Sequence, residues 1–532
     1  MEPGHPNPVS IVGSFGNTLG LTEANVYTET LSSATAGDPR SGSTILRKLP
    51  TLALLSAGGS VITGVVSLVA ARYLGSSRYG EAQTVLLAYG IGGLLQAGVY
   101  AGAVRAAIHA RGRGDDRSAT KVQNLGVTFE LLASLVPGLV IASFALFTTS
   151  DLLRLGFLLA PLVAAASSLA SFLGGIAMAK EHQQRATVAA SLGSLVAGTV
   201  VLATLSALGP YAMLLGPPLG SLTAVVLLIP YEIRDGLRAD FDWRSARPLA
   251  RAGLPFAGSG IVYWLYRWVG PTSVTIGLGA RALGYYTIAN APVLLVSSGL
   301  SIVPALIMPR FWQDVGRSDR PWVREGDRVT SLLVVGTAAI TSLGLILFPW
   351  FVRTFLPEYR PAIPVFCILA LEIVLFNISS APTLVLGSVA VDRQQTVFRA
   401  MAAAFVANIA ANAVVLLLGA GMVAIAIDDV AVQLIFVGTL FLLARRHQGS
   451  FRSRQHDLAP AAVVLVAIGA AATVIAAGSA SLARGDDTTS GMAARTVVLG
   501  VTWLLVAVVL AAWRGVERLV RRRGATPDVG TA

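Results

Sequence analysis

Long stretches without a single charged residue are the feature that most constrains this chain. Leu49–Ala71, Ala82–Val104 and Leu155–Ala179 contain no Asp, Glu, Lys or Arg, and later parts of the chain repeat the pattern. Ala186–Tyr231 is 46 residues without a charge, divided near its middle by Gly209-Pro210. A helix needs roughly 20 apolar residues to cross about 30 Å of hydrocarbon. These stretches therefore predict membrane-spanning α-helices.

Composition and span counting lead to an all-α polytopic membrane protein with about fourteen transmembrane helices. Of the 532 residues, 54% are hydrophobic and 13% are charged, whereas a soluble domain has about a quarter charged residues. The predicted spans cover residues 50–73, 82–104, 124–147, 154–179, 186–206, 210–231, 253–277, 284–309, 329–352, 362–389, 396–418, 421–444, 459–482 and 494–513.

The basic residues orient these spans. With a cytoplasmic N-terminus, 31 Lys and Arg residues fall on the cytoplasmic side and eight on the opposite side. That asymmetry is the one expected of a multi-pass protein of the plasma membrane, and it places both termini in the cytoplasm. The net charge of +12 lies in short loops between the spans, so we expect membrane lipids, and no nucleic acid, as partners.

An internal repeat divides the spans into two parallel six-helix lobes followed by two C-terminal helices. Tyr73–Glu81 and Gly277–Tyr285 share a Leu-Gly pair followed five residues later by a second glycine, and the copies are 204 residues apart. The alternative is that two Gly-rich turns match by chance. Parallel repeats are typical of carriers that work by alternating access. The predicted organisation is a disordered cytoplasmic tail at 1–46, an N-terminal lobe at 47–233, a cytoplasmic linker at 234–252, a C-terminal lobe at 253–445, a cytoplasmic loop at 446–458, two extra helices at 459–513 and a basic cytoplasmic tail at 514–532.

Several function classes are disfavoured by what the loops contain. The loops are too short for a soluble catalytic or nucleotide-binding domain, and none of the three lysines follows a glycine as a P-loop requires. Cys367 is the single cysteine, and the five histidines lack metal-ligand spacing. We therefore expect no cofactor, no metal, no catalytic residue and no ATP-driven transport by this chain.

Short motifs along residues 50–445 resemble those of polysaccharide-biosynthesis exporters, in the flippase superfamily that includes O-antigen and lipid II flippases. The motifs are Ala71–Gly75 with Tyr79-Gly80, Gln96–Gly98, Arg105, Gly253–Pro255, Leu283–Tyr286 with Ala289, Pro309, Leu356–Ala362, the pair Asn408 and Asn412, and the Gly419/Gly421 turn. The resemblance implies two six-helix lobes, alternating access and an undecaprenyl-diphosphate-linked sugar as cargo. Family members often carry an acidic residue in helix seven, where this chain has Arg267.

Arg267 is the main candidate for substrate binding. It lies near the middle of the seventh span, where an ionisable group costs at least about 2.5–3.5 kcal/mol and therefore needs a reason. A guanidinium group facing a cavity can bind a diphosphate through paired hydrogen bonds. Tyr263 and Tyr266 are placed to stack against a sugar. The alternative is an arginine paired with a buried carboxylate between helices.

Polar residues of the last three helices of the second lobe are further candidates. Glu372, Asp428 and Asp429 lie roughly seven to ten residues from the outer surface, and buried carboxylates can carry protons or bind Na⁺. These three are the candidate ion-coupling residues, with pairing to Arg267 or to the asparagines as the alternative. Asn408 and Asn412 share one helix face, where they either bond between helices or contact substrate.

The function predicted from these features is transport of a polyprenyl-diphosphate-linked oligosaccharide, or another cell-surface polysaccharide precursor, across the plasma membrane. Glycosyltransferases or a polymerase of the same pathway are the expected partners. A membrane glycosyltransferase, polymerase or ligase is a competing interpretation, but the longest external loop is a dozen residues, at about Arg484–Arg495. A multidrug exporter of the same superfamily also fits these features, and so does a scaffold that has lost transport activity.

Overall fold

A computed structural model describes residues 40–94, 103, 107, 115–180, 182–300, 337, 340–386 and 394–447. All regular secondary structure in these ranges is helical, and we number the helices α1 to α10. They are α1 Arg40–Leu94, α2 Asp116–Ser143, α3 Asp151–Ala179, α4 Gln183–Leu208, α5 Tyr211–Arg234, α6 Trp243–Leu300, α7 Ile340–Phe355, α8 Ala362–Leu386, α9 Gln394–Leu417 and α10 Met422–His447. A 3-10 turn follows α2 at Phe144–Leu146, and another precedes α8 at Pro357–Tyr359.

The two longest helices, α1 and α6, are each a pair of arms joined at a kink. Gly75 has φ 74° and ψ 168°, and Gly279 has φ 80° and ψ 177°, a conformation that is almost restricted to glycine. Ser67 Oγ lies 2.5 Å from the Tyr79 hydroxyl, although twelve residues of straight helix would separate them by about 18 Å. The chain therefore reverses at Gly75.

The same reversal occurs in α6. Tyr266 and Tyr286 lie on opposite sides of Gly279, and both hydroxyl groups reach Asp429. A straight helix would place these two residues about 30 Å apart. The predicted repeat of the two Leu-Gly turns is thus present in the structure, as two hairpins with matching glycine conformations.

Six helices of the described residues, α2 to α5, α9 and α10, are long and apolar enough to cross a membrane. Each of the first twelve predicted spans overlaps a helix or one arm of a kinked helix. Predicted helices thirteen and fourteen and the terminal tails up to residue 39 and beyond residue 447 lie outside the described residues, so the count of fourteen stays a prediction. The chain is a multi-pass helical membrane protein.

Three helix starts differ from those expected, and the first is that of α2, which begins at Asp116 although the predicted span begins at 124. α1 begins at Arg40 and α6 at Trp243, about ten residues before the predicted spans at 50 and 253. Charged residues in these extra turns hid them from a search for apolar stretches. The short segment before α6 lies along α2, since the backbone N–H groups of Arg238 and Asp240 donate to Asn124 Oδ1 and Thr128 Oγ1.

The hydrophobic core is continuous from one lobe to the other. Its largest cluster joins side chains of α1, α3 and α5 to side chains of α6, α7, α8 and α10. A second cluster lies within α6, α8, α9 and α10, and two smaller clusters lie in the first lobe. The most extensive helix pairing joins α1 to α6, so the two hairpins form the central contact between the lobes.

Candidate functional site

The predicted site residues converge in one buried polar cluster of the second lobe. The first arm of α6 supplies Tyr263, Tyr266 and Arg267, and α8 supplies Glu372. α9 supplies the asparagine pair, and α10 supplies the two aspartates. Helix periodicity explains the convergence, because residues three or four apart along a helix share a face. We call these eight residues the polar cluster.

Arg267 pairs with Glu372 across the interface between α6 and α8. Arg267 Nη1 lies 3.6 Å from Glu372 Oε1, and the two residues are 9% and 6% exposed. This distance is that of an ion pair that is too long for a hydrogen bond, and Nη1 has no hydrogen-bond partner. The structure therefore contains the contact expected from the alternative interpretation of Arg267, in which a buried carboxylate pairs with the arginine. One guanidinium nitrogen still lacks a hydrogen-bond acceptor.

Aromatic and amide groups surround this ion pair. The guanidinium carbon of Arg267 lies 5.8 Å from the centre of the Phe376 ring, and Tyr263 stacks on the same ring at 5.4 Å. With its amide nitrogen turned toward the carboxylate, Gln433 donates to Glu372 Oε1 at 3.1 Å. Aromatic faces attract a guanidinium group and increase its stability in a dry site.

Asp429 is the second buried carboxylate of the cluster, and it is 7% exposed. The Tyr286 hydroxyl donates to Asp429 Oδ2 at 2.6 Å, and Asn412 Nδ2 donates to Oδ1 at 3.2 Å. The Tyr266 hydroxyl donates to the Asp429 backbone oxygen at 2.9 Å. These donors are neutral, so they do not offset the charge of the carboxylate.

A glycine makes the approach of Asp429 possible. A Cβ atom at Gly270 would lie 1.9 Å from Asp429 Oδ2 and 2.7 Å from the Tyr286 hydroxyl. Real Cβ atoms do not come that close to a non-bonded heavy atom, because van der Waals contact between carbon atoms is optimal at about 3.5–4.0 Å and turns repulsive at shorter distances. The absence of a side chain at Gly270 thus places the carboxylate directly against α6.

The asparagine pair links α9 to α10 and α6. Asn412 Nδ2 lies within 3.2 Å of four acceptors: Asn408 Oδ1, the Asn408 backbone oxygen, Asp428 Oδ2 and Asp429 Oδ1. An amide nitrogen has two hydrogens, so it cannot donate to all four at once. Asn412 Oδ1 has no partner, and Asn408 Nδ2 donates to the Tyr266 backbone oxygen at 3.4 Å. The pair therefore makes the interhelical bonds that were one of its two interpretations.

The charges of the cluster do not balance. Arg267 is its cation, while Glu372 and Asp429 are both buried and Asp428 is partly buried. A buried unpaired carboxylate is costly unless it takes up a proton or a cation. Among the described residues, no group of three or more His, Cys, Asp or Glu residues has the arrangement of a metal site. The two buried carboxylates exceed the one arginine by a single negative charge, which one proton or one monovalent cation would neutralise.

A second site joins the lobes at the end where both hairpins turn. A Cβ at Gly80 would lie 1.7 Å from the Ala280 oxygen, and one at Gly284 would lie 2.4 Å from the Ser76 oxygen. Because Ser76 and Ala280 are themselves 204 residues apart, the two contacts are related by the repeat. We call this contact the hairpin junction.

Glu358 and Tyr359, in the turn before α8, complete the hairpin junction. The backbone N–H of Ser76 donates to Glu358 Oε1 at 3.0 Å, and the Ser76 hydroxyl donates to the same oxygen. Arg281 Nε donates to Ser76 Oγ at 3.3 Å, and the Tyr359 hydroxyl donates to the Ala71 oxygen at 3.0 Å. The hydrogen bonds from Ser76 lower the pKa of Glu358.

Comparisons with known proteins found one matching family and several solved structures of similar fold. The sequence profile of the family described as "Polysaccharide biosynthesis protein" matches residues 69–312, a range that contains both kink glycines, Gly75 and Gly279. No curated protein matches the sequence significantly.

Solved structures of similar fold are transporters of the MOP superfamily. An inward-facing multidrug resistance MATE family transporter aligns with a TM-score of 0.57 at 16% identity, over 76% of this chain and 96% of that one. The outward-facing conformation of a MATE family transporter gives 0.53 at 15% identity, over the same shares of the two chains. A MOP superfamily transporter from Pyrococcus furiosus, described as having a binding pocket of reverse polarity, gives 0.54 at 14%, over 76% and 96%.

The predicted resemblance to polysaccharide-biosynthesis exporters is confirmed. The fold is that of MATE transporters, and the two kinked helices that the repeat predicted form its centre. Because the sequence identities are 14–16%, these solved structures show the fold of this chain and not its activity.

Sequence reasoning missed four residues that matter to the polar cluster and the hairpin junction. Tyr286 and Gly270 contact Asp429, and Glu358 and Ser76 join the hairpins. Tyr286 and Glu358 lie inside motifs that carried the family resemblance, so the sequence marked both positions. It did not indicate which residues they contact. Gly270 is one of 54 glycines, and nothing in the sequence distinguishes it.

Proposed function

We propose that this protein is an alternating-access transporter that moves a polyprenyl-diphosphate-linked oligosaccharide, or a related polysaccharide precursor, across the plasma membrane. The observation that carries the proposal is the match of residues 69–312 to the polysaccharide biosynthesis family. Parallel lobes around a central contact, as α1 and α6 form here, suit a rocking motion of one lobe against the other.

Arg267 is the proposed anchor for the diphosphate. It is buried and positively charged, its contact with Glu372 is long, and its Nη1 has no hydrogen-bond partner. Phosphate oxygens make shorter and stronger hydrogen bonds with a guanidinium group than this ion pair supplies. An arriving diphosphate therefore competes with Glu372 for the same cation, and Tyr263 next to it supplies an aromatic face.

Glu372, Asp428 and Asp429 are the proposed coupling residues. When Arg267 turns to a diphosphate, Glu372 loses its cationic partner and takes up a proton or Na⁺ in compensation. Asp429, which has neutral donors in this structure, is a second position for the ion. Substrate binding and ion binding thus become linked through one shared arginine.

Purified protein in proteoliposomes tests the cargo directly. A polyprenyl-diphosphate oligosaccharide with a fluorescent sugar is placed in both leaflets, and its translocation is followed by quenching from outside. We expect Arg267→Gln to lower the translocation rate at least about tenfold, the effect of losing one charged contact. Arg154→Gln, at an exposed arginine of the predicted outer side, is the matched control. Equal rates in empty and protein-containing vesicles would exclude this cargo.

Multidrug export is the second candidate, and the MATE-like fold together with the acidic residues of the cluster favours it. A buried carboxylate attracts organic cations, whereas Arg267 attracts anions. A deletion strain separates the two functions: loss of glycan transport accumulates cytoplasm-facing lipid-linked oligosaccharide, while loss of drug export raises sensitivity to cationic dyes.

A further inference from the structure

The hairpin junction contains hydrogen bonds that cross from one lobe to the other at one end of the molecule. Glu358 belongs to the second lobe and accepts from the backbone N–H and hydroxyl of Ser76 in the first lobe. Tyr359 follows Glu358 in the chain and donates to the Ala71 oxygen. Both residues therefore hold the first hairpin, and any separation of the lobes at this end breaks these bonds.

Close packing surrounds these bonds. The Tyr359 ring meets Tyr79 of the first lobe edge-on at 6.2 Å and Tyr285 of the second lobe edge-on at 5.7 Å. Further along the hairpins, the Trp268 indole fills the space beside Gly90, where a Cβ atom would lie 1.8 Å from the ring. Contact between the lobes thus extends from the turn end to the residue next to Arg267.

The opposite end of the first lobe is held differently. Lys180 Nζ lies 2.6 Å from Glu232 Oε2 and 2.6 Å from Asp235 Oδ2. These bonds join the ends of α3 and α5 inside one lobe, so they survive a movement of the lobes. By the predicted orientation this end is cytoplasmic and the hairpin junction is external.

We propose that Glu358 is the latch that keeps the two lobes closed on the outer face, and that its release from Ser76 admits the outward-open state. The proposal rests on the alternating-access function proposed above. Ser76 is 1% exposed while Glu358 lies on the surface, so the carboxylate reaches in from outside to a buried donor pair. The hydrogen bonds from Ser76 lower the pKa of Glu358, so the carboxylate stays charged and accepts both hydrogen bonds at neutral pH and below the ordinary pKa of a glutamate.

The latch is tested by measuring the distance between the outer ends of the lobes without any substrate. Spin labels are attached to cysteines at Thr149, in the turn between α2 and α3, and at Leu418, in the turn between α9 and α10, in a Cys367→Ala background. Glu358→Gln is expected to shift the ratio of long to short distances about tenfold, the effect of one charge-assisted hydrogen bond. Ser76→Ala keeps the backbone donor and is expected to cause a smaller shift in the same direction.

Asp151→Asn is the matched control, because Asp151 is an exposed acidic residue at the same predicted end of the first lobe. Its distance distribution should equal that of the unsubstituted protein. The proposal is overturned if Glu358→Gln leaves the distribution unchanged, or if Asp151→Asn shifts it equally. Because the readout contains no glycan lipid, a wrong cargo leaves the result intact, whereas a failed latch leaves the translocation assay of Arg267 unaffected.

Discussion

The two kinked helices α1 and α6 share one backbone plan and differ in chemical content. Their glycine kinks have matching dihedral angles, and their contacts at Gly80 and Gly284 are reciprocal. Because the copies are 204 residues apart, Arg267 is equivalent to Thr63 of the first copy, and Gly270 is equivalent to Val66. One copy thus keeps a small, mostly apolar face, while the other carries the polar cluster.

This difference distinguishes the residues that form the shared hairpin scaffold from the residues that form the polar cluster. Glycines at matching positions produce the hairpins and their contact, which both lobes need for packing. The polar residues appear in one copy alone, so packing of the repeat does not require them. A feature that the repeat does not explain is the better candidate for substrate or ion binding.

Exchanging Arg267 for the residue of the first copy is expected to have the largest effect. Arg267→Thr leaves Glu372 buried without a cation, at a cost of about 3–5 kcal/mol. Thermal unfolding of the full chain in detergent measures this loss. Arg267→Thr with Glu372→Gln should recover most of the stability, because the carboxylate that lost its cation is removed as well.

The control for that exchange lies in the first copy. Thr63 bonds to the Gly59 oxygen of its own helix, so Thr63→Val should change stability by less than about 0.5 kcal/mol. If Arg267→Thr is as stable as the unsubstituted protein, the ion pair with Glu372 contributes nothing to stability. The main chemical difference between the two copies would then have no energetic effect.

Gly270→Val gives the second copy the side chain that Val66 has in the first. The new atoms would overlap Asp429 Oδ2 and the Tyr286 hydroxyl, and such overpacking costs about 3 kcal/mol at its upper end. Unfolding in detergent measures the change. Gly64→Val is the control, because a Cβ at Gly64 meets nothing within 4 Å. Similar losses in both variants would show that valine itself, and not the contact with Asp429, is responsible.

Substituting the two kink glycines is expected to have smaller and nearly equal effects. Gly75→Ala and Gly279→Ala each force an L side chain into positive φ, which costs about 1–2 kcal/mol. Gly75→Ala should cost slightly more, since its Cβ would meet Glu358 Oε2 at 3.3 Å. Gly174→Ala, with open space around it, is the control. A large loss in one copy and none in the other would contradict the equivalence of the hairpins.

The fold was predictable from residues that act locally. Charge-free stretches predicted the helices within a few residues in most cases, because a span needs only length and apolar composition. The Leu-Gly repeat predicted the paired hairpins, because a positive φ depends on the glycine itself. The motifs around these turns also carried the family resemblance, which the match over residues 69–312 confirms.

The partners of the buried charges were decided by the tertiary structure. The sequence named Arg267, Glu372 and Asp429 as unusual, since charge in an apolar helix is visible in one dimension. It left open whether Arg267 pairs with a carboxylate. The pair forms because α6 packs beside α8, which brings Arg267 Nη1 within 3.6 Å of Glu372 Oε1. Likewise, Glu358 reaches Ser76 across 282 residues of chain. Such contacts depend on how helices pack laterally, which local patterns of charge and hydropathy do not encode.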